Sequence, residues 1–417
     1  MQAVVYRGPK DLRLETLPVP TIEADELLVK VTACGVCPTD IKKIHYGTVP
    51  PPRIFGHETA GTIVRVGKKV KQFKIGDHVA LHHHVPCLKC HACRHRAFAQ
   101  CPTYKRTGIT AGFEPAGGGY AEYVRVMPFV LPGVVKIPSR NSFLEGAMLE
   151  PVNTVLKAVN RLNLLRGDTV LVAGQGPIGL MFTRLLALRG MKVLATDLLD
   201  SRLQLAREFG ASWIFNPQTD LNLKSKIQNP KSSIARWTLN PNPKSKIQNP
   251  KSSSAAWTFN PQTDLNPKSK IQNPKSAGPP SLLTPHASLA TLVQDLTERR
   301  GLDAAIIAVP SNAVVREAQS LVRGGGQVLL FSHTRRGEQT ALDLATICVD
   351  EKDLIGSYSA DFLLQEEVAR LVFSRKLDVR KLITHQFPLE KTAEAIELAA
   401  NPTADSLKVV VIQKDVF

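Results

Sequence analysis

The segment TVLVAGQGPIGLMFTRLLALRG, residues 169–190, constrains the fold more than any other stretch of the chain. A β-type apolar run leads directly into Gly174-Gln175-Gly176-Pro177-Ile178-Gly179, which opens an amphipathic helix. In a strand–turn–helix context G-x-G-x-x-G is specific, because each glycine has its own task. The first permits the tight turn, the second lets backbone amides approach a pyrophosphate, and the third lets helix and strand pack closely. Pro177 and Ile178 begin the helix whose N-terminus would face the phosphates. Asp197 ends the next strand, 23 residues after Gly174, where a carboxylate accepts from ribose hydroxyls and repels a 2′-phosphate. NAD is therefore expected over NADP, and Arg202 nearby tempers that preference.

Around this segment strand and helix alternate: VNTVLKAVNRL, TVLVAG, PIGLMFTRLLALRG, KVLATD and SRLQLAREFG, then ASLATLVQDLTERRG, DAAIIAVPS, AVVREAQSLVRGG and QVLLFS. That pattern predicts right-handed βαβ units and a doubly wound parallel sheet. Residues 1–150 instead carry short β-type runs such as AVVY, ELLVKVTA and GTIVRVG between Pro and Gly, with no long helical period. A chain of 417 residues exceeds one hydrophobic core, so two units are expected. The division is a β-rich domain at 1–155, completed by 356–417, and a nucleotide-binding domain at 156–355.

At about 216–279 the alternation is interrupted. KSKIQNPKS occurs at 224–232, 244–252 and 268–276, and FNPQTDLN at 215–222 and 259–266. These copies are polar and almost free of large aliphatics, so they cannot stack a core as solenoid repeats do. They read as a disordered surface insertion between the third strand of the sheet and the following helix. The insertion also explains the charge: of the net +17, ten Lys and Arg against two Asp within 216–276 supply +8. No recognition motif or aromatic stacking pattern accompanies it, so no specific nucleic-acid partner is expected. There is no apolar signal region and no membrane-spanning run.

Four of the seven cysteines, Cys87, Cys90, Cys93 and Cys101, fall within fifteen residues. This density favours a metal site in a reducing compartment over disulfides, and so a cytoplasmic protein. Four thiolates close a tetrahedral shell with no open position, which makes this zinc structural. His82, His83, His84, His91 and His95 around it are expected to be solvated. A second, dispersed set is Cys37 in CGVCPTD with His57 and Glu58 in GHETAG; S, N and O donors together can leave zinc an open position.

CGVCPTD, GHETAGTIVRVG, the four-cysteine segment, GGGYAEYV and GQGPIG occur in this order over nearly all the chain outside the insertion. In this the sequence resembles the zinc-containing medium-chain alcohol dehydrogenases. The resemblance implies a GroES-like β-rich catalytic domain beside a Rossmann domain, two zinc ions per chain, and hydride transfer between an alcohol and NAD. Glu150 in LEPVNTVLKAV is similar to a glutamate of the sorbitol and threonine dehydrogenase branch, so a secondary alcohol, polyol or hydroxy amino acid is the implied substrate. By the same resemblance Cys37, His57 and Glu150 would hold the catalytic zinc, Glu58 would exchange in and out, and Thr39 would accept the substrate proton. Where many relatives carry a relay histidine this chain has Lys42, which reads either as a relay or as a solvated surface residue, and His45 cannot be assumed to substitute. Relatives on this plan form homodimers or homotetramers. Two other readings remain at this stage: a quinone or enone reductase, which lacks zinc ligands, and a non-catalytic body whose basic insertion binds partners.

Overall fold

The computed structural model describes residues 1–82, 85–106, 117–219, 288–332, 334 and 337–413. His83, His84 and nearly all of the repeat insertion lie outside the described residues, as does the expectation that the insertion is a disordered loop. Its flanks are described: the strand Trp213–Phe215 precedes it and the helix Leu289–Leu296 follows it.

The fold is α/β, a GroES-like part beside a Rossmann-like part. The glycine turn sits in a six-stranded, wholly parallel sheet. Its order is Trp213–Phe215, Lys192–Thr196, Thr169–Ala173, Leu302–Ile307, Val322–Leu330 and Asp353–Gly356. The strand Thr169–Ala173 is buried throughout, as a central parallel strand covered on both faces must be. Strand order reverses beside it, which places the ends of Thr169–Ala173 and Leu302–Ile307 at the crevice where open α/β sheets bind ligands.

One boundary differs from the sequence reading. AVVREAQSLVRGG was expected to stay helical to Gly325, but the helix is Asn312–Leu321 and Val322 is already extended. Val322 pairs with Leu302 and the next ladder pair is Ala304 with Gln327, so Arg323 to Gly326 form a bulge. Three consecutive glycines hold a helix poorly, and Gly325 takes φ +66 there.

The other large sheet has seven strands, with Ile383–Pro388, Lys408–Ile412, Leu27–Gly35, Glu58–Val66, His78–Leu81 and Val135–Lys136 in order and Tyr123–Val126 also paired to Leu27–Gly35. The C-terminal strand pairs with Leu27–Gly35, Val411 opposite Cys34, so the end of the chain completes a sheet begun by its start. The β-rich reading of residues 1–150 omitted the helix Pro38–Tyr46. Its signals were local: Cys37 caps it by accepting from the Thr39 amide, Pro38 begins it, and Gly47 ends it in the left-handed region at φ +61.

The helix Leu149–Val159 joins the two sheets. Val152, Val155, Leu156 and Val159 belong to one core cluster that reaches Ala33 and Ala60 on one side and Val170 and Ile306 on the other. Fully burying such a side chain contributes about 1.5–3 kcal/mol, so this helix is held from both sides. Glu150 and Thr154, one turn apart on it, line a cavity of about 360 Å³. Among the described residues, no helix is long and apolar enough to cross a membrane.

Candidate active site and metal centres

The helix Pro38–Tyr46 brings Cys37, Thr39 and Lys42 to the cavity, and the start of the strand Glu58–Val66 brings His57 and Glu58. Cys37, His57 and Glu58 each offer a ligand atom within 4.8 Å of the others. Glu150, buried on the facing helix, lines the same cavity but stands outside that set. Glu58, which the sequence reading made the exchanging carboxylate, is thus the one that groups with Cys37 and His57.

Two residues that sequence reasoning did not single out hold this cluster. Asp40, 0% exposed, lies 2.9 Å from His57 Nδ1 and accepts from the Gly56 amide at 3.2 Å. Burial alone would lower the pKa of His57, but Asp40 and Cys37 beside it raise it well above the usual imidazole value. With Nδ1 turned to Asp40, Nε2 is the ring nitrogen left to ligate. Lys408 donates to Glu58 Oε1 at 2.6 Å and to the Val36 carbonyl at 2.9 Å. Burial lowers the Lys408 pKa, yet Glu58 and Cys37 beside it more than offset this and raise it. The available signals were an Asp three residues after Cys37 in CPTD and one Lys inside the apolar strand KVVVI. Glu150 is pushed up to about 7, chiefly by burial and further by Glu58, with His57 and Lys408 opposing.

Lys42 is half-buried, and desolvation lowers its pKa against the opposing pull of Cys37. His45 does not line the cavity and instead faces Glu397 at 3.8 Å.

The four cysteines converge in a separate lobe, their sulfurs within 4.8 Å of one another. The Cys87 amide donates to Cys101 Sγ at 3.4 Å, and Cys90 and Cys93 sulfurs are 3.4 Å apart. Amides of Lys89 and Cys90 draw the Cys87 thiol down to about 6, while burial pushes Cys93 up to about 12. Four sulfurs this close, with no other donor grouped with them among the described residues, fit a closed zinc shell, and the S, N and O set fits an open one. His91 and His95 are exposed as expected, but His82 is not: it is 0% exposed, and desolvation lowers it to about 3. It follows the buried strand end Val79–Leu81, so strand packing carries it inward.

At the glycine turn, Gly174 takes φ +93, and a Cβ on Gly179 would lie 1.7 Å from the Gly174 carbonyl oxygen. A Cβ on Gly176 would meet nothing within 4 Å, and Gly176 with Pro177 and Ile178 lines the cavity. Among the described residues no side chain caps the N-terminus of the helix Pro177–Leu188, whose amides can face an anion. Asp197 braces this turn, accepting from the Gln175 amide at 2.6 Å and the Leu199 amide at 3.0 Å. Arg202 lines the cavity and donates to the Ser406 carbonyl at 3.1 Å.

Comparison with known proteins identifies the family and the fold. Residues 23–139 match the family described as alcohol dehydrogenase GroES-like domain, and residues 177–232 the family described as zinc-binding dehydrogenase. The chain is 29% identical to a sorbitol dehydrogenase of Bacillus subtilis over 99% of its own length and 97% of that enzyme. It is 32% identical to a sorbitol dehydrogenase of Mus musculus over 54% of this chain and 64% of that one. The crystal structure of 2R,3R-butanediol dehydrogenase from Bacillus subtilis superposes with a TM-score of 0.72 at 22% identity, over 99% of each chain.

Proposed function

Because the chain belongs to the zinc-binding medium-chain alcohol dehydrogenase family, we propose that it transfers hydride between NAD and a secondary alcohol, polyol or hydroxy amino acid. The observation that carries this is the convergence of Cys37, His57 and Glu58 on the same cavity that Gly176, Pro177 and Ile178 line. That ligand set also counts against a quinone or enone reductase, which needs none.

Cys37, His57 and Glu58 would hold the catalytic zinc, with Glu150 as the second carboxylate that exchanges with Glu58. Cys87, Cys90, Cys93 and Cys101 would hold a structural one. When bound, zinc supplies Lewis-acid charge that acidifies an alcohol, and the nicotinamide ring supplies the hydride acceptor. Thr39 would accept the proton of the alcohol at its hydroxyl while passing its own to the neutral amine of Lys42, whose pKa burial lowers, and Lys42 would release it to solvent. Asp40 fixes the His57 ring, and Lys408 restrains Glu58. Gly174, Gly176 and Gly179 would let the backbone approach the pyrophosphate, and Arg202, which lines the same cavity, tempers the cofactor preference set by Asp197. Asp197, at the end of its strand, favours NAD over NADP.

The division of labour we propose follows the two sheets. Residues 1–155 with 356–417 bind the alcohol and 156–355 bind NAD. A cytoplasmic setting is supported by seven cysteines that are all free. A homodimer or homotetramer is supported by the strand Asp353–Gly356 at a sheet edge, beside the exposed apolar Leu344, Val349 and Leu354. Leu354→Lys should shift the protein to a smaller species on light scattering, and an unchanged mass would remove this edge as the interface.

The test of function is zinc per chain together with NADH appearance over simple alcohols, polyols and L-threonine. Two zinc ions and turnover of one substrate class are expected. A single zinc, with no turnover after the second site is resupplied, would sink the assignment.

A further inference from the structure

We propose that the four-cysteine lobe also forms part of the substrate pocket, where the Tyr104 and Ser359 hydroxyls together read a second hydroxyl of the substrate. The proposal rests on the alcohol dehydrogenase reading above and names the substrate class within it, a diol or longer polyol.

Tyr104 lies on the helix Pro102–Arg106, which starts immediately after Cys101. Its ring packs on the cluster of Cys93, Phe98 and Cys101, and it also lines the cavity shared by Thr39, His57 and Glu150. The lobe therefore supplies one wall of the pocket.

Across from Tyr104 stands Ser359, with the two hydroxyl oxygens 3.4 Å apart. A good O–H···O bond is about 2.7–2.8 Å long, so this contact is slack. Each hydroxyl has one donor and two lone pairs, and a third hydroxyl bound to both would accept from one and donate to the other. Much of the remaining lining is apolar, including Val36, Ile41, Pro151, Met181 and Phe331. A substrate with one hydroxyl would engage the metal cluster and leave this pair unused.

The backbone at Ser359 gives the second observation. Ser359 has φ +64, the left-handed region that a residue with a Cβ seldom occupies. Its neighbours are fastened from both sides. The Ser357 amide donates to the Leu330 carbonyl at 3.1 Å, and Lys157 donates to the Tyr358 carbonyl at 2.9 Å. The Asp361 amide donates to Asn153 Oδ1 at 2.9 Å, and the Phe362 ring meets Phe98 of the lobe edge-on at 5.6 Å. Strained conformations persist where the surroundings over-determine them, and they collect at binding sites. Of the eight non-glycine residues with positive φ among the described residues, Ser359 is the one that lines this cavity, and there its hydroxyl faces the pocket where glycine would hold the turn with less strain.

The experiment uses the full-length zinc-loaded protein with two probes on one carbon skeleton, propylene glycol and isopropanol. Tyr104→Phe and Ser359→Gly should each lower the ratio of kcat/KM for the diol over the mono-alcohol by about 5- to 10-fold, the effect of one neutral hydrogen bond. The double variant should lose less than the product of the two, because both groups hold the same hydroxyl. Ser359→Gly should melt at or above the wild-type temperature, since it relieves strain, and both variants should keep the wild-type zinc content. An unchanged ratio in both variants overturns the proposal, as does a wild-type enzyme without preference for the diol. Calorimetric titration with the same probes separates the two readings. Tighter diol binding that the variants lose would sustain the subsite even without turnover, whereas equal binding of both probes overturns it.

Discussion

The four-cysteine lobe and the cluster at the pocket hold metal-ligating residues in opposite ways. The lobe draws its donors from residues 87–101, all sulfur, on short turns and a four-residue helix. The pocket draws S, N and O donors from two separate elements, takes its restraints from Asp40 and Lys408, and faces a carboxylate at Glu150. Glu58 and Lys408 are 350 residues apart in sequence yet form a bond buried in the β-rich sheet. A local site needs only a flexible segment closing on an ion. A dispersed site needs the whole fold correct before its donors meet, and its geometry can then keep a position open for chemistry.

Cys37→Ser should give the largest effect, cutting turnover on the order of 10³-fold by removing Lewis-acid stabilisation. Zinc should fall from two ions to one while the melting temperature stays near wild type; loss of both ions would break the distinction between the sites. Cys93→Ser should instead cost about 3 kcal/mol of stability, because metal binding there is coupled to folding of the lobe. Thermal unfolding with and without chelator checks this, and an unchanged melting temperature would show that the lobe does not depend on its metal.

Asp40→Asn sharpens the comparison within the pocket. It should lower activity or zinc affinity about 10- to 100-fold, the usual cost of losing the partner of a ligating histidine, and leave the lobe's zinc in place. The smallest effect calibrates the fold away from both clusters. Asp303 is buried against Arg300 and Arg323 and accepts from the Thr169 amide at 2.8 Å. Burial would raise its pKa, but the two guanidinium groups and the amide outweigh that and hold it below the usual carboxylate range. A depressed folded pKa stabilises the protein above the unfolded value and loses that contribution as pH falls through the folded one. Asp303→Asn should therefore cost about 1.5 kcal/mol at neutral pH. The difference from wild type should vanish in strong acid, as denaturant titrations at several pH values would show.

Several features were legible because their physics is local. Gly174, Gly176 and Gly179 were assigned from spacing, since the steric demands of that turn involve only its own strand and helix. The cysteines 87, 90, 93 and 101 were legible because their loop is too short to keep the sulfurs apart. Cys37, His57 and Glu58 were legible as a set of S, N and O donors, but their individual roles came from the resemblance, since no spacing rule links residue 37 to residue 57. His82 went the other way: a polar run reads as solvated, but the strand it follows is packed into the sheet.

By itself the sequence determined the α/β alternation, the glycine turn, the four-sulfur cluster and the family. The first three depend on residues near one another in the chain, where sterics and loop length act directly, and the family on the order of such local motifs along it. Only the tertiary structure decided that Asp40 holds His57, that Lys408 restrains Glu58, and that Tyr104 meets Ser359 at the pocket. The physical reason is that a hydrogen bond depends on position to within a few tenths of an ångström. Between distant residues that position is set by the packing of sheets and helices, which no pattern along the chain specifies.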